Sequence, residues 1–209
     1  MQPHYIIRHQ ECTGKEIDTI HNILRELRKR YPEASNLILP IEYVYVGKIK
    51  SYVKITNEYE KIGKTKKINK QYEICARYCE QIKVTRMDLC VVSNEIQDYF
   101  YTNKIIFKYF AFPVSKLNKM EMAEIAEENR WMDLMKMTWF CRRPIFGRTC
   151  GICGPCNNTL AGGLGWRLAP HSRLIANIQA PFRKFWRNNY DKQSNRHFQW
   201  VKKILKDRY

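Results

Sequence analysis

The chain has 209 residues, enough for one domain with a sizeable hydrophobic core and a small appended module. Hydrophobic residues make up 44% of the sequence and aromatic residues 13%, which excludes an intrinsically disordered chain. Its 37 lysines and arginines against 20 acidic residues give a formal net charge of +17, which favours anionic partners.

No segment contains the ~18 consecutive apolar residues that a membrane-spanning helix needs. A histidine and an arginine interrupt the apolar run at the N-terminus, so no targeting segment is predicted. We therefore expect a cytoplasmic protein without a membrane partner. In that reducing compartment, clustered cysteines are expected to be metal ligands or redox groups rather than disulfides.

The first half of the chain alternates between strand and helix patterns. Residues 4–9 favour a short strand, and residues 14–30 have apolar side chains at helical spacing. Residues 36–49 favour a strand, which Pro40 confines to the part after it. Eight lysines and a glycine-containing centre predict a loop over 47–70.

The alternation continues in the middle of the chain. Residues 69–82 favour a helix, and the continuous apolar run over 87–94 is typical of a buried strand. A further helix begins after Asn118, which is predicted to act as N-cap with Glu121 three residues later. Its expected buried stripe consists of Met122, Ile125 and Ala126. Strands alternating with helices predict an α/β fold with a parallel sheet.

The last quarter differs in composition from what precedes it. Residues 158–170 predict a glycine-rich connection, and the remainder looks helical and basic. We expect three regions: an α/β domain over 1–137, a zinc-binding segment over 138–165 and a basic helical region over 166–209.

Half of the eight cysteines lie within sixteen residues, at Cys141, Cys150, Cys153 and Cys156. Their spacing, C-x8-C-x2-C-x2-C, suits tetrahedral zinc bound by four thiolates. Gly151 and Gly154 each follow a cysteine, where a metal-binding knuckle needs a tight turn. The sequence therefore predicts a structural zinc site.

Two other chemistries suit clustered thiols. An iron-sulfur cluster also accepts four thiolates, and a C-x2-C pair can form a redox dithiol. A second pair, Cys75 and Cys79, has the spacing of one helix face but is interpreted, with Cys12 and Cys90, as apolar filling of the core.

The run KLNKMEMAEIAEENRWMDLMKMTWFCRRPIFGRTCGICGPC, residues 116–156, resembles the C-terminal signature of the 7-cyano-7-deazaguanine synthase (QueC-like) family. The matching features are Lys119 and Glu121 at a helix start, the Thr-Trp-x-Cys segment that ends at Cys141, and the cysteine knuckle. Upstream, Asn94 and Asp98 match a Gly-x-Asn-x-x-x-Asp stretch of that family.

The resemblance implies a fold and an activity. The fold is the Rossmann-like sheet of the adenine nucleotide alpha hydrolases, here without its first strand. The activity is an ATP-dependent ligase reaction that converts 7-carboxy-7-deazaguanine and ammonia to 7-cyano-7-deazaguanine in queuosine-type base modification. The expected cofactors are ATP and Mg²⁺ beside structural zinc, with Lys119 a candidate catalytic residue and Asn94 and Asp98 near the substrate or nucleotide.

The sequence departs from the family at the phosphate-binding loop. PP-loop ATP pyrophosphatases bind ATP phosphates with a Ser-Gly-Gly-x-Asp-Ser loop, and the printed sequence contains none. We expect a fragment, a chain completed by a separately encoded phosphate-loop segment or by a homodimer, or a paralogue without ATP chemistry.

A second hypothesis comes from another class of function. The alternative is a zinc-containing nucleic-acid-binding or defence-associated paralogue without ATP chemistry. Its support is the excess of basic residues together with aromatic residues on which bases could stack: Trp139, Phe140, Trp166, Phe185, Trp186 and Trp200.

Overall fold

The structure is a computed structural model that describes residues 1–8, 10–95 and 98–179. Its contacts divide the chain into two units, Met1–Trp139 and Phe140–Tyr209, the second of which is described as far as residue 179. The longer elements of the first unit are four strands and seven helices within the described residues. In chain order they are β1 (His4–Ile7), α1 (Thr13–Arg30), α2 (Pro32–Asn36), β2 (Glu42–Tyr45), α3 (Val53–Gly63), α4 (Lys70–Ile82), β3 (Met87–Asp88), α5 (Tyr99–Thr102), β4 (Phe110–Ala111), α6 (Lys119–Glu128) and α7 (Met132–Met137).

The N-terminal part of this unit is a strand-helix-strand arrangement. Strand β1 pairs in parallel with β2, with His4 opposite Glu42 and Ile7 opposite Tyr45. The helix between them, α1, confirms the pattern predicted over 14–30. Strand β2 begins after Pro40, because proline supplies no N–H to a ladder.

The lysine-rich stretch is helical, so the loop predicted over 47–70 is wrong for its centre. Helix α3 buries Ile55 and Ile62, seven residues apart on one face, with Tyr59 packed beside the same core. The lysines project from the other faces, and their number concealed the apolar stripe.

Helix α4 confirms the helix predicted over 69–82, with the Asn69 side chain accepting a hydrogen bond from the Gln71 N–H. It packs against α3 and against aromatic residues that follow it in the chain. Phe100 and Phe107 stack there with ring centroids 4.4 Å apart. This aromatic cluster is the centre of the core of the first unit.

A second parallel pair joins β3 to β4, with Met87 opposite Phe110. Strand β3 is only two residues long, so most of the strand predicted over 87–94 is not strand, and residues 93–95 form a 3-10 turn. The described strands thus form two separate two-stranded parallel sheets. The fold is mixed α/β, but a single Rossmann-like sheet is not confirmed.

Helix α6 begins as predicted. Asn118 accepts hydrogen bonds from the backbone N–H groups of Met120 and Glu121, and the Glu121 carboxylate accepts one from the Asn118 N–H. This reciprocal capping box satisfies donors that a helix start leaves free. The buried stripe consists of Ala123 and Ala126, whereas Ile125 is exposed, contrary to prediction.

The second unit contains helix α8 (Gly154–Ala161), a 3-10 turn at Gly165–Arg167 and a helical stretch over 170–179. Helix α8 occupies the first part of the connection predicted over 158–170. The helical prediction for the tail is confirmed over 170–179. The rest of the basic region, 180–209, lies outside the described residues.

Candidate metal centre

The four clustered cysteines converge on one point in the second unit. Their Sγ atoms all lie within 4.8 Å of one another. The Cys153 sulfur is 3.4 Å from that of Cys156 and 3.9 Å from that of Cys141, and the Cys150 and Cys156 sulfurs are 3.9 Å apart. Cys141, Cys150 and Cys156 are buried and Cys153 is partly exposed, so the site is largely closed to water.

A tight hairpin brings the first cysteine back to the second. Ile145 and Arg148 exchange two backbone hydrogen bonds of 3.0 Å each, which leaves Phe146 and Gly147 as a two-residue turn. Both turn residues have positive φ, 48° and 72°, as a type I′ hairpin turn requires. The Cys150 N–H then donates to the Cys141 sulfur at 3.3 Å.

The knuckle turns at Gly151, as the sequence predicts. Its φ is +75°, and a Cβ placed there would lie 2.1 Å from the backbone oxygen of Ser172. Only glycine fits both the conformation and the space. The turn points the N–H groups of Ile152 and Cys153 at the Cys150 sulfur, at 3.4 and 3.3 Å.

The third and fourth cysteines are placed by the start of α8. Cys153 is the N-cap of this helix and Cys156 lies in its first turn, where the helix dipole favours negative charge. Gly154 is the first helical residue and has no positive φ, so its predicted role as a second tight turn is wrong.

Their surroundings shift the pKa values of three of the thiols in different directions. Burial opposes ionisation of Cys153, but N–H groups of Cys156 and Arg142 and neighbouring thiols outweigh burial and lower its pKa to about 7. Burial raises the pKa of Cys141 to about 11 and also raises the pKa of Cys156. Without a metal ion, Cys153 is the first of these three thiols to ionise.

The donor set fits one tetrahedral ion. Zinc-sulfur bonds of ~2.3 Å place tetrahedral sulfurs ~3.8 Å apart, close to the spacings above. In a four-iron cluster each thiolate binds a different iron, which spreads the sulfurs further apart. The four-cysteine group could therefore hold a metal ion such as zinc. Four protein ligands leave no open position for a substrate or an activated water.

Two hydroxyl residues besides the cysteines hold the knuckle, Thr149 within the cysteine run and Ser172 beyond it, and the sequence did not single them out. Ser172 is fully buried and its hydroxyl donates to the backbone oxygen of Thr149. The Thr149 hydroxyl lies 3.1 Å from the Ser172 hydroxyl and accepts the Ala169 N–H at 3.0 Å. A threonine before a cysteine and a serine about twenty positions later carry no spacing signal, so only the fold reveals the pair.

The other predicted site residues lie in the first unit. Lys119 opens α6 and its Nζ is 3.0 Å from Glu95 Oε1. Asn94 lies in the turn Ser93–Glu95, with nothing described of its side chain. Asp98 is exposed and precedes α5 without capping it. Glu95, which the sequence did not indicate, is the partner of Lys119.

A backbone hydrogen bond and an ion pair join the 93–95 turn to the start of α6. The Ser93 N–H donates to the Leu117 oxygen at 2.8 Å, which joins the 93–95 turn to the start of α6. The ion pair between Lys119 and Glu95 spans the same junction and is partly exposed. A solvated pair of this kind contributes little to stability, and the catalytic role of Lys119 stays a prediction.

The aromatic residues predicted to stack on bases are divided between packing roles. The Trp139 ring faces the Lys15 ammonium at 5.5 Å in the first unit, and Phe140 faces the Arg167 guanidinium at 4.7 Å in the second. Trp166 is 41% exposed. Phe185, Trp186 and Trp200 lie outside the described residues.

None of the described helices is long and apolar enough to cross a membrane. All eight cysteines are free thiols. Comparison with protein-family models, with curated proteins and with solved structures found no match to this chain.

Proposed function

We propose that this chain is a zinc protein of the 7-cyano-7-deazaguanine synthase type, in which the zinc ion is structural. The observation that carries the zinc assignment is the convergence of four sulfurs within 4.8 Å around a glycine turn. The support for the ligase is the quoted run over 116–156, whose Lys119 and four cysteines occupy the positions of the family signature.

In this proposal the zinc ion organises the second unit. Cys141, Cys150, Cys153 and Cys156 would hold it, with their thiolate charge balanced by backbone N–H groups that donate to Cys141 and Cys150. When bound, the ion replaces a hydrophobic core in a stretch with few large buried side chains. The free thiols agree with the reducing cytoplasm that we propose as its location.

The proposed reaction is the ATP-dependent conversion of 7-carboxy-7-deazaguanine and ammonia to 7-cyano-7-deazaguanine. Lys119 is the residue proposed to contact the substrate, where its ammonium group would neutralise negative charge. The junction of Lys119 with Glu95 is consistent with this role, because the pair is partly exposed and open to exchange of partners. The printed sequence contains no Ser-Gly-Gly-x-Asp-Ser loop, so ATP and Mg²⁺ would be bound by a segment supplied from outside it.

Metal analysis tests the first part of the proposal. We expect about one zinc ion per chain in protein purified without added chelator. Replacing Cys153 with serine should abolish stoichiometric zinc, because three thiolates leave a weak site. The matched control is Cys90→Ser, which changes an exposed cysteine outside the cluster and should leave zinc content unchanged. Equal zinc in both variants would refute the site.

An activity assay tests the second part. Purified chain is incubated with 7-carboxy-7-deazaguanine, ATP, Mg²⁺ and ammonia, with and without a separately supplied phosphate-loop segment, and nitrile product is measured. We expect product only in the complemented reaction, and about 100-fold less with Lys119→Ala. Lys116→Ala, three residues earlier, is the control. Absence of product in both reactions would remove the ligase and leave the zinc site standing.

A further inference from the structure

The hairpin between the first two cysteines presents an apolar ring to solvent. Phe146 is 99% exposed, with Ile145 beside it at 42%. The φ of Phe146, +48°, lies in the left-handed region, which asparagine and glycine adopt far more readily than phenylalanine. The side chain buries nothing and the backbone position disfavours it, so folding does not explain the phenylalanine.

Three arginines flank this ring along the hairpin. Arg142, Arg143 and Arg148 are all exposed, and none of them forms an ion pair within the part of the chain that the structure describes. Residues 140–179 contain five arginines and no aspartate or glutamate. Even with a tetrathiolate zinc site, which carries two negative charges, this stretch remains positive.

We propose that this arginine-flanked hairpin tip, residues 142–148, binds single-stranded nucleic acid, with a base stacked on Phe146 and phosphates on the three arginines. The inference goes beyond the ligase and does not depend on it. An isolated ring exposed on both faces suits a flat partner, and an unpaired base offers one. Charge complementarity favours a polyanion, and guanidinium groups match phosphate geometry.

The cysteine centre explains why a short hairpin can serve as a binding surface. Cys141 and Cys150 fix both ends of the hairpin, and the reciprocal hydrogen bonds of Ile145 with Arg148 fix its tip. A ring held in place loses little conformational freedom on binding. A larger apolar patch, which a protein partner would need, is not formed by the exposed Ile145 and Phe146 alone.

The test measures binding of the full zinc-loaded chain to a fluorescein-labelled oligothymidine of about 12 nucleotides by fluorescence anisotropy. Phe146→Asn removes the ring and suits the turn, so thermal stability should stay equal or rise. We expect binding to weaken roughly tenfold. Leu174→Ala, which truncates another exposed apolar side chain of this unit, should bind as the unmodified chain.

The arginines are tested through salt dependence. Replacing Arg142, Arg143 and Arg148 with glutamine should reduce the slope of log K against log salt by about 2. The matched control replaces three exposed lysines of the first unit, Lys54, Lys64 and Lys67, with glutamine and should change the slope much less. Basic residues over 180–209 are present in every variant, so differences report the hairpin.

Four outcomes would overturn the proposal. These are unchanged binding by Phe146→Asn, an equal loss of slope in the lysine control, binding of a duplex of the same length as tightly as the single strand, and Phe146-dependent binding of polyglutamate at the strength of oligothymidine. The last outcome would assign the surface to an acidic peptide. Oligouridine should bind through Phe146 as oligothymidine does, because stacking does not distinguish the sugars.

Discussion

At the scale of single residues, Gly151 is the position on which the metal centre depends most after the cysteines themselves. It combines a φ of +75° with a close approach to the Ser172 backbone. A side chain there strains the local conformation and pushes apart two segments that are joined by the buried hydroxyls of Thr149 and Ser172. The cost of a substitution therefore has two separable parts.

We predict that Gly151→Ala weakens zinc binding by about 3 kcal/mol or more, because the backbone of Ser172 has to move. The measurement is competition for zinc against a chelator of known affinity. Gly147→Ala is the control, since Gly147 has nearly the same φ, +72°, and no atom within 4 Å of an added Cβ. Gly147→Ala should weaken zinc binding by only about 1 kcal/mol. An equal loss in both variants would show that the contact with Ser172 is immaterial.

The cysteines and Gly151 could be predicted from the sequence because the metal imposes a spacing on them. Their sulfurs must meet at one point, and the tight turn between two of them needs glycine. Thr149 and Ser172 could not be predicted, because the hydrogen bond between their hydroxyls depends on how the helix over 170–179 packs against the knuckle. Glu95 could not be predicted for a similar reason, because its contact with Lys119 joins two distant parts of the chain.

At the scale of elements, apolar periodicity predicted helices correctly, whereas residue composition led to a wrong loop prediction. Helices α1 and α4 follow from apolar spacing, and the start of α6 follows from its capping residues. Helix α3 was hidden by its lysines, although Ile55 and Ile62 supply the stripe. Strand lengths were overestimated at 87–94, where the apolar run is buried by the aromatic cluster rather than by a continuous ladder. Tertiary packing decides such short apolar runs.

The packing of α3 on α4 includes a buried charge. Glu73 is 1% exposed and accepts a hydrogen bond from the Thr56 hydroxyl at 3.0 Å. Arg77 Nε lies 2.9 Å from the same carboxylate, in an ion pair rather than an aligned hydrogen bond, and Lys70 Nζ lies 3.5 Å from its other oxygen. Removing one charge of such a group costs more than removing both.

We predict that Glu73→Leu lowers the free energy of unfolding of the first unit by about 3 kcal/mol, because Arg77 keeps an uncompensated charge in a mostly buried position. The double variant Glu73→Leu with Arg77→Met should lose less than about 1 kcal/mol. Urea unfolding followed by circular dichroism measures both. A double variant as unstable as the single one would contradict this account.

At the scale of the whole molecule, the two units rest on different sources of stability. The first has an aromatic and aliphatic core that includes Ile106, Tyr78 and Phe107. The described part of the second has few large buried side chains, among them Leu164 and Leu168, besides its buried cysteines. Hydrophobic burial therefore dominates in Met1–Trp139, and metal coordination is expected to dominate in the unit that begins at Phe140.

This difference predicts that removing zinc exposes one unit to protease and spares the other. Trypsin cleaves after basic residues that no proline follows, and four such arginines, Arg142, Arg148, Arg167 and Arg173, lie in the described part of the second unit. Zinc coordination contributes on the order of 10 kcal/mol to the folding of small metal-dependent units, so chelation should bring cleavage at buried or partly buried sites such as Arg167. Mass spectrometry of the digest identifies each site.

The same digest distinguishes metal-dependent folding from general instability. After chelation, fragments that end within 140–179 should accumulate while a fragment close to Met1–Trp139 persists, and added zinc should restore protection. Cys153→Ser should give the chelated pattern without chelator, and Cys90→Ser should give the zinc-loaded one. Cleavage spreading equally through α1 and α4 would mean that the first unit needs the metal as well. An unchanged digest would mean that the fold of the second unit does not depend on the four thiolates.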